Sequence, residues 1–463
     1  MSSATRRQFL KAGAAVIGAG LGGALPATAL AQEPGARPPG RPTGVEVLNP
    51  RGRVPVALII DDSTCLANLA HFAIPQFAEV FPSQYRQDWK ALPREIPDAF
   101  VRRFGEWCGA HGVKGKYSIV PYPACVGWLD RELPGWTRRE LNGSLELVRT
   151  LMTPNFDIHP EMVSHTWVID TTTGRPFPER SDRFMENWRW TDGKSVDQLA
   201  GYMAYALRIL KDVGLTCQGI TTPGGFAIRV LPELAQATLQ AVRDVHSAEI
   251  PHYFRHIFTD DRSVAPRVEY ASGLDGDDPR CVVSVVGCTG DWFGGWDGLT
   301  PGTVDQFITE DGRGGRLPEV IRRGEPAVLV GHWPGFYFNG KEVGFTILKE
   351  VVARLHAHFD QLVWLTLGEL SRYWAARELT RVEVVEGAYT FRAPFACPGF
   401  TVSLPMRGAR GVEVVAGSPG VRTILTAVER RSRLAPGTFV RQETGVVACF
   451  DLPKGTARVH GAP

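Results

Sequence analysis

Carboxylate and imidazole side chains follow three strands that the sequence predicts. Asp61 and Asp62 come directly after the apolar run Val54–Ile60, His165 follows a short strand-like stretch, and His332 ends another apolar run. Adjacent carboxylates at the end of a buried strand are costly to desolvate unless a cation partners them. One of them can hold a metal ion while the other acts as a base, and imidazole is a ligand for zinc and other divalent ions. These residue types indicate metal-assisted acid–base chemistry.

Each of these residues also has a purely structural interpretation. The run Asp61-Asp62-Ser63-Thr64 would cap a helix well, and a histidine such as His165 or His332 can be a satisfied core residue. The combined pattern favours chemistry, because the carboxyl ends of parallel strands in an α/β barrel meet at one rim, where catalytic residues collect.

Strand-like apolar runs alternate with longer helical patterns over residues 51–378. Ser195–Val213, for example, is predicted as a helix that opens with a Ser195…Gln198 capping box. Such alternation predicts a parallel sheet, and six to eight units favour a distorted (β/α)7–8 barrel. From about Leu379 the pattern changes to short alternating stretches broken by Gly and Pro, which predict a small β-sandwich domain over residues 379–463.

The first 31 residues have the layout of a secretory signal. Arg6 and Arg7 precede a Gly- and Ala-rich apolar stretch, and Ala29-Leu30-Ala31 offers a small-x-small cleavage site. The paired arginines predict export by the twin-arginine machinery to the periplasm or the medium. A membrane anchor is the alternative, but the glycines, alanines and Pro26 make the stretch only weakly apolar. Residues 32–50 are rich in Pro and Gly and are predicted as a linker.

The charge balance gives no indication of an anionic partner. The formal net charge is +2, and Arg6, Arg7 and Lys11 of the leader supply part of it. The remainder is close to neutral, so the composition does not favour binding to nucleic acid or to an anionic membrane surface.

Four short segments, in order, resemble the motifs of the polysaccharide deacetylase family, over roughly residues 54–375. They are a strand with an aspartate pair, a Ser-His-Thr-Trp segment, a Pro-Gly loop and a late strand ending in Leu-x-x-His: Ile59–Asp62, Glu161–Trp167, Thr222–Gly225 and Leu329–His332. The resemblance implies an α/β barrel that hydrolyses an N- or O-acyl group on a sugar with the help of a divalent metal, zinc being the expected ion.

Residue by residue, the resemblance implies four roles. Asp61 would be the general base, Asp62 and His165 metal ligands, and His332 the general acid. The family has a second histidine four residues after the first, where this chain has Ile169. Because three protein ligands are usual for such a site, Asp170 is the candidate third ligand.

Other positions could complete the motif set or take substrate. His159 is a second substitute for the missing histidine, and the arginine of the family's proline-rich loop is absent, with Thr221 near its place. Two Gly-rich aromatic loops suggest contacts to a sugar ring, while packing at the barrel mouth is the alternative. Their candidate substrate-binding residues are Asp291, Trp292, Trp333, Tyr337 and Asn339. Lys116, on the predicted second strand, could face the barrel centre or solvent, and we expect it to face solvent.

Two other functions stay open. The missing second histidine suggests a glycoside hydrolase or lyase, which could use Asp61 with another carboxylate on the same rim, such as Asp170 or Asp291. The β-rich C-terminal segment and the aromatic loops suggest a non-catalytic glycan-binding protein that kept the barrel and lost the site.

Overall fold

The structure is a computed structural model that describes residues 37–417 and 420–462. The predicted signal peptide at residues 1–31, and the start of the predicted linker, lie outside the described residues. No helix in the described ranges is long and apolar enough to cross a membrane.

Strands and helices alternate as far as Leu379, and strands dominate afterwards. The strands are β1 Glu46–Val47, β2 Val54–Asp61, β3 Gly115–Ile119, β4 Phe156–Pro160, β5 Ile169–Asp170, β6 Arg175–Pro176, β7 Gly219–Thr221, β8 His252–Ile257, β9 Arg267–Ser272, β10 Arg280–Gly287, β11 Ala327–His332, β12 Leu362–Trp364, β13 Arg381–Val385, β14 Ala388–Ala393, β15 Cys397–Leu404, β16 Gly411–Ala416, β17 Val421–Ile424, β18 Thr426–Ala427, β19 Thr438–Gln442, β20 Gly445–Leu452 and β21 Gly455–Ala462. The α-helices are α1 Leu69–Val80, α2 Asp98–Ala110, α3 Arg138–Leu147, α4 Val196–Asp212, α5 Leu231–His246, α6 Val304–Phe307, α7 Arg316–Arg322, α8 Trp333–Tyr337, α9 Val343–His358 and α10 Leu367–Leu379.

Most of the parallel strand pairs lie in two sheets. One has the order β11-β2-β3-β4, with β12 also paired to β2, and the other has the order β7-β8-β10-β9. All pairs are parallel except β9 with β10. β2 is buried from Pro55 to Asp61, as expected for a parallel strand that is covered on both faces. The predicted α/β architecture with parallel strands is confirmed.

Strand pairing does not close the two sheets into one barrel within the described residues. Beyond the end of β10, the Cys288 amide donates to the Val328 carbonyl at 2.8 Å. The Val330 amide donates to the Thr289 hydroxyl at 3.0 Å. A side-chain oxygen thus takes the place of a main-chain acceptor, which interrupts the ladder. Between β4 of the first sheet and β7 of the second, the Thr221 hydroxyl lies 3.4 Å from Nδ1 of His159.

The C-terminal strands form two five-stranded sheets with the orders β1-β15-β20-β19-β18 and β13-β14-β21-β16-β17. The ring of Phe391 on β14 lies 6.0 Å from Phe400 and 5.9 Å from Phe450, both on the other sheet. Packed apolar faces of this kind agree with the predicted β-rich domain. β1 comes from the stretch predicted as a linker, and its Glu46 and Val47 pair with β15.

Local sequence signals explain two of the helices. In α4 the Ser195 side chain accepts from the Gln198 amide, and the Gln198 side chain accepts from the Ser195 amide. Thr366 and Glu369 form the same reciprocal cap at α10. These bonds satisfy main-chain donors that the first helical turn leaves free.

Candidate functional site

The candidate base and acid are brought together by neighbouring strands. β2 pairs with β11 in parallel, and the register sets Asp61 opposite His332 at the last pair of the ladder. Asp62 follows with a left-handed φ of 58°, which turns the chain away from the strand direction. The loop after β4 carries Glu161 and His165 to the same rim.

Three of these side chains form a buried cluster. Nε2 of His165 lies 2.8 Å from Oδ1 of Asp62 and 3.4 Å from Oε1 of Glu161. The potential ligand atoms of the three residues lie within 4.8 Å of one another. The Asp62 amide also donates to Oε2 of Glu161 at 2.8 Å. One imidazole and two carboxylates make a set that can hold a divalent cation.

The electrostatics of the cluster fit a cation. Burial by itself raises the pKa of Glu161, but the hydrogen bond and charge of His165, with Lys116, lower it to about 2. Burial opposes protonation of His165, yet Asp62 and Glu161 raise the pKa of that imidazole well above its usual value. The protein alone therefore places positive charge between the two carboxylates.

Two buried atoms of the cluster lack hydrogen bonds. Among the described residues, Oδ1 of Asp62 has only the ionic contact with Nε2 of His165, and Nδ1 of His165 has no hydrogen-bond partner. Buried polar atoms are rarely left without a partner. A metal ion coordinated by this cluster would satisfy the carboxylate oxygen, so the residues present fit such an ion.

Asp61 is held by a lysine that is fully buried. The Lys116 ammonium forms an ion pair with Oδ1 of Asp61 and donates to the Ser118 hydroxyl at 2.7 Å. Burial, opposed by Lys116 and by His332, raises the pKa of Asp61 to about 6. The expectation that Lys116 faces solvent is wrong, because every residue of β3 is buried and Asp61 provides the counter-charge.

His332 also has a carboxylate partner. Its Nδ1 lies 2.7 Å from Oδ2 of Asp291. Burial by itself lowers the pKa of His332, but Asp291, followed by Asp62 and Asp61, raises it to about 10. The imidazole is therefore protonated at neutral pH and has a proton to donate.

The two substitutes for the missing histidine lie outside this cluster. Asp170 accepts from the Thr172 amide at 2.9 Å and from the Thr173 hydroxyl at 3.0 Å, so its carboxylate stabilises an exposed turn. His159 is buried against His252, with their Nε2 atoms 3.0 Å apart. The structure places Glu161, which the sequence pattern did not single out, where Asp170 was expected.

Of the three aromatic residues predicted to contact substrate, one fills the interior and two are partly exposed. Trp333 is only 1% exposed and packs 4.9 Å from Phe100, so the structure corrects its assignment as a stacking surface. Trp292 packs against Phe307 and Tyr337 against Phe100, each ring remaining partly exposed. The two polar candidates have different partners. Asn339 donates to the Gly298 carbonyl at 3.2 Å, whereas Asp291 contacts His332.

Sequence reasoning missed three functional candidates: Glu161, Lys116 and Glu186. A signal existed for Glu161, which lies four residues before His165 and directly after β4. Two helices, α1 and α2, separate Lys116 from Asp61 along the chain, so only the pairing of β3 with β2 brings them together. Glu186 carries no motif and is identified because its carboxylate accepts from the main-chain amides of Val163, Ser164 and His165.

Comparisons with known proteins give weak structural similarity. No family model and no curated protein sequence matches the chain. A solved structure from Mycobacterium smegmatis, described as a polysaccharide deacetylase, is 14% identical with a TM-score of 0.40, covering 76% of this chain and 97% of that one. A second from Pseudomonas aeruginosa PAO1, also described as a polysaccharide deacetylase, is 11% identical with a TM-score of 0.36 and covers 59% and 72%. A 4-alpha-glucanotransferase from Thermococcus litoralis is 12% identical with a TM-score of 0.35 and covers 69% and 40%. Scores of this size do not define a family for the chain.

Proposed function

We propose that the protein is a metal-dependent hydrolase that removes an acyl group from a carbohydrate. The observation that carries this proposal is the buried cluster of Asp62, Glu161 and His165 next to a carboxylate and a protonated imidazole. Asp61 and His332 end neighbouring strands at the same rim, as a base and an acid acting on one substrate require.

Asp62, Glu161 and His165 would hold the ion, and zinc is the proposed metal. A divalent ion there supplies Lewis acidity toward an acyl oxygen and makes water easier to deprotonate. Asp61, with a pKa of about 6, is ionised at neutral pH and can accept the proton of an attacking water. Lys116 holds this carboxylate in place from below the rim.

His332 would protonate the leaving group. Its Nδ1 is held by Asp291 at 2.7 Å, which leaves Nε2 as the ring nitrogen that can donate. The Asp291 carboxylate keeps the imidazole protonated, so the acid is present over the same pH range in which Asp61 is ionised. The two groups therefore have opposite proton states, which acid–base catalysis at neutral pH needs.

The carbohydrate substrate is supported by the ordered motifs at residues 59–62, 161–167, 222–225 and 329–332. The proposed location is the periplasm or the medium, reached through the twin-arginine machinery, and it rests on the paired arginines Arg6 and Arg7. Glycan exposed outside the cytoplasm would then be the material on which the enzyme acts.

Acetate release tests the activity. Purified protein would be incubated with acetylated glycans and amino sugars before chelation, after chelation and after zinc is restored, with Asp61→Asn as the inactive control variant. We expect release that chelation abolishes, zinc restores and Asp61→Asn lacks. Absence of acetate from every acylated glycan in the zinc-loaded protein would contradict the proposal.

Binding of a glycan without hydrolysis is the second candidate. It is favoured by Ile169, which is buried in the core. Ile169 occupies the position at which the family that these motifs resemble has its second histidine. In that case Asp62→Ala and His165→Ala would bind glycan as tightly as the unchanged protein, whereas a loss of binding would argue for the metal-dependent site.

A further inference from the structure

The loop Glu161–Trp167 bends around a buried carboxylate. Both oxygens of Glu186 face this loop, and the carboxylate accepts from the amides of Val163 at 3.1 Å, Ser164 at 3.1 Å and His165 at 2.6 Å. Glu186 is fully buried. Three successive main-chain amides that converge on one anion form a concave anion site, so the carboxylate determines the path of the loop.

This path is unfavourable without such support. Met162 and His165 have left-handed φ values of 53° and 64°, which side chains with a Cβ rarely adopt. Strained residues persist when their surroundings hold them. The hydrogen bond from the His165 amide to Glu186 acts directly on one of the two strained positions, and the bonds from Val163 and Ser164 lie between them.

The same loop supplies two of the three candidate ligands. Glu161 lies at its start and His165 four residues on, so the bend decides whether both side chains reach Asp62. Glu186 is not itself a member of the ligand cluster. Its effect on a metal would pass through the loop.

Tyr202 of α4 fixes Glu186 from the other side. Its hydroxyl donates to Oε1 of Glu186 and accepts from the Ile169 amide at 3.1 Å. One tyrosine thus ties the carboxylate to a helix and to the segment that follows the loop.

We propose that Glu186 is a positioning residue that sets the metal affinity of the site, with Tyr202 orienting it. This inference rests on the proposed metal site and deepens it. Residues that hold metal ligands in place commonly change metal affinity roughly 10- to 100-fold when they are replaced, and Glu186 holds a loop that carries two ligands.

Zinc titration of the full, chelator-stripped protein tests the proposal. The test variants are Glu186→Gln and Tyr202→Phe, and Glu269→Gln is the matched control. Glu186→Gln puts a side-chain amide against the main-chain donors of the loop. Glu269 is another buried glutamate, which accepts from the Ser284 hydroxyl at 2.5 Å on a different sheet. Unfolding midpoints would be measured for each variant in the absence of metal.

We expect the zinc dissociation constant to rise roughly 10- to 100-fold in Glu186→Gln, to rise less in Tyr202→Phe and to stay unchanged in Glu269→Gln. Both glutamate variants should lose stability, so the split between stability and affinity separates positioning from general destabilisation. A folded Glu186→Gln with the affinity of the unchanged protein would overturn the inference and leave the proposed function standing. If Glu186→Gln does not fold, unchanged affinity in Tyr202→Phe overturns it. Failure of the unchanged protein to bind zinc would overturn both.

Discussion

Asp61 on β2 and His332 on β11 are partners in the register of two adjacent parallel strands. Register partners in a sheet direct their side chains to the same face, so the candidate base and acid lie side by side. Each group also affects the other, since His332 lowers the pKa of Asp61 and Asp61 raises the pKa of His332. The chemistry proposed for the site depends on this pairing.

Lys116→Met should destabilise the fold strongly. The substitution removes the ion-pair partner of the buried Asp61 carboxylate, and breaking a buried ion pair in this way costs about 3–5 kcal/mol. The free energy of unfolding in urea measures the loss. Lys114→Met is the control, because Lys114 pairs with Glu369 near the surface and should cost about 1 kcal/mol or less.

Adding Asp61→Asn to Lys116→Met should recover much of that stability, because it removes the unpaired charge. A double variant as unstable as Lys116→Met alone would show that the ion pair is not the cause.

Asp291→Asn should move the alkaline limb of kcat/KM to lower pH. Asp291 raises the pKa of His332, and without this carboxylate the imidazole loses its proton roughly one to three pH units earlier. Acyl release measured across pH gives the shift. Asp297→Asn serves as the control, since Asp297 lies on the same loop but contacts Gln87 and the Leu299 amide. An alkaline limb in Asp291→Asn at the original pH would contradict the assigned acid.

Acid should destabilise the protein through His252. Burial lowers the pKa of His252 from 6.5 to about 4, so the unfolded chain takes up a proton before the folded chain does. The contribution of neutral His252 to the free energy of unfolding is complete above pH 6.5 and is lost as the pH falls toward 4. The full pKa shift corresponds to about 3 kcal/mol.

His252→Gln should therefore reduce the difference in unfolding free energy between neutral pH and about pH 5. The pKa of His159, which lies 3.0 Å away, is also lowered by burial. Part of the pH dependence of the unfolding free energy will therefore remain in the variant. Equal pH slopes in the variant and the unchanged protein would show that His252 does not titrate on unfolding.

Local patterns predicted most individual elements. The apolar run Val54–Ile60 corresponds to β2, Val54–Asp61, and the capping box at Ser195 begins α4 as expected. Such signals are local, because strand burial and helix caps depend on neighbouring residues. Closure into a barrel is not local, and the interruption after β10 depends on Thr289 reaching Val330, which no periodicity reveals.

The site was predictable where it follows strand ends. Asp61, Asp62, His165 and His332 converge because parallel strands finish at one rim. Glu161, Lys116 and Glu186 required side-chain contacts across the fold. A buried lysine and a buried glutamate violate the rule that charges lie outside, and their partners become visible only once β3 and α4 are in place.

Zinc stoichiometry tests the central claim most directly. The stripped protein, Asp62→Asn, Glu161→Gln and Asp170→Asn would each be loaded with zinc, desalted and assayed for bound metal. The account predicts one zinc per chain in the unchanged protein and in Asp170→Asn, and loss of that zinc in Asp62→Asn and Glu161→Gln. Full occupancy in Glu161→Gln together with loss in Asp170→Asn would contradict it.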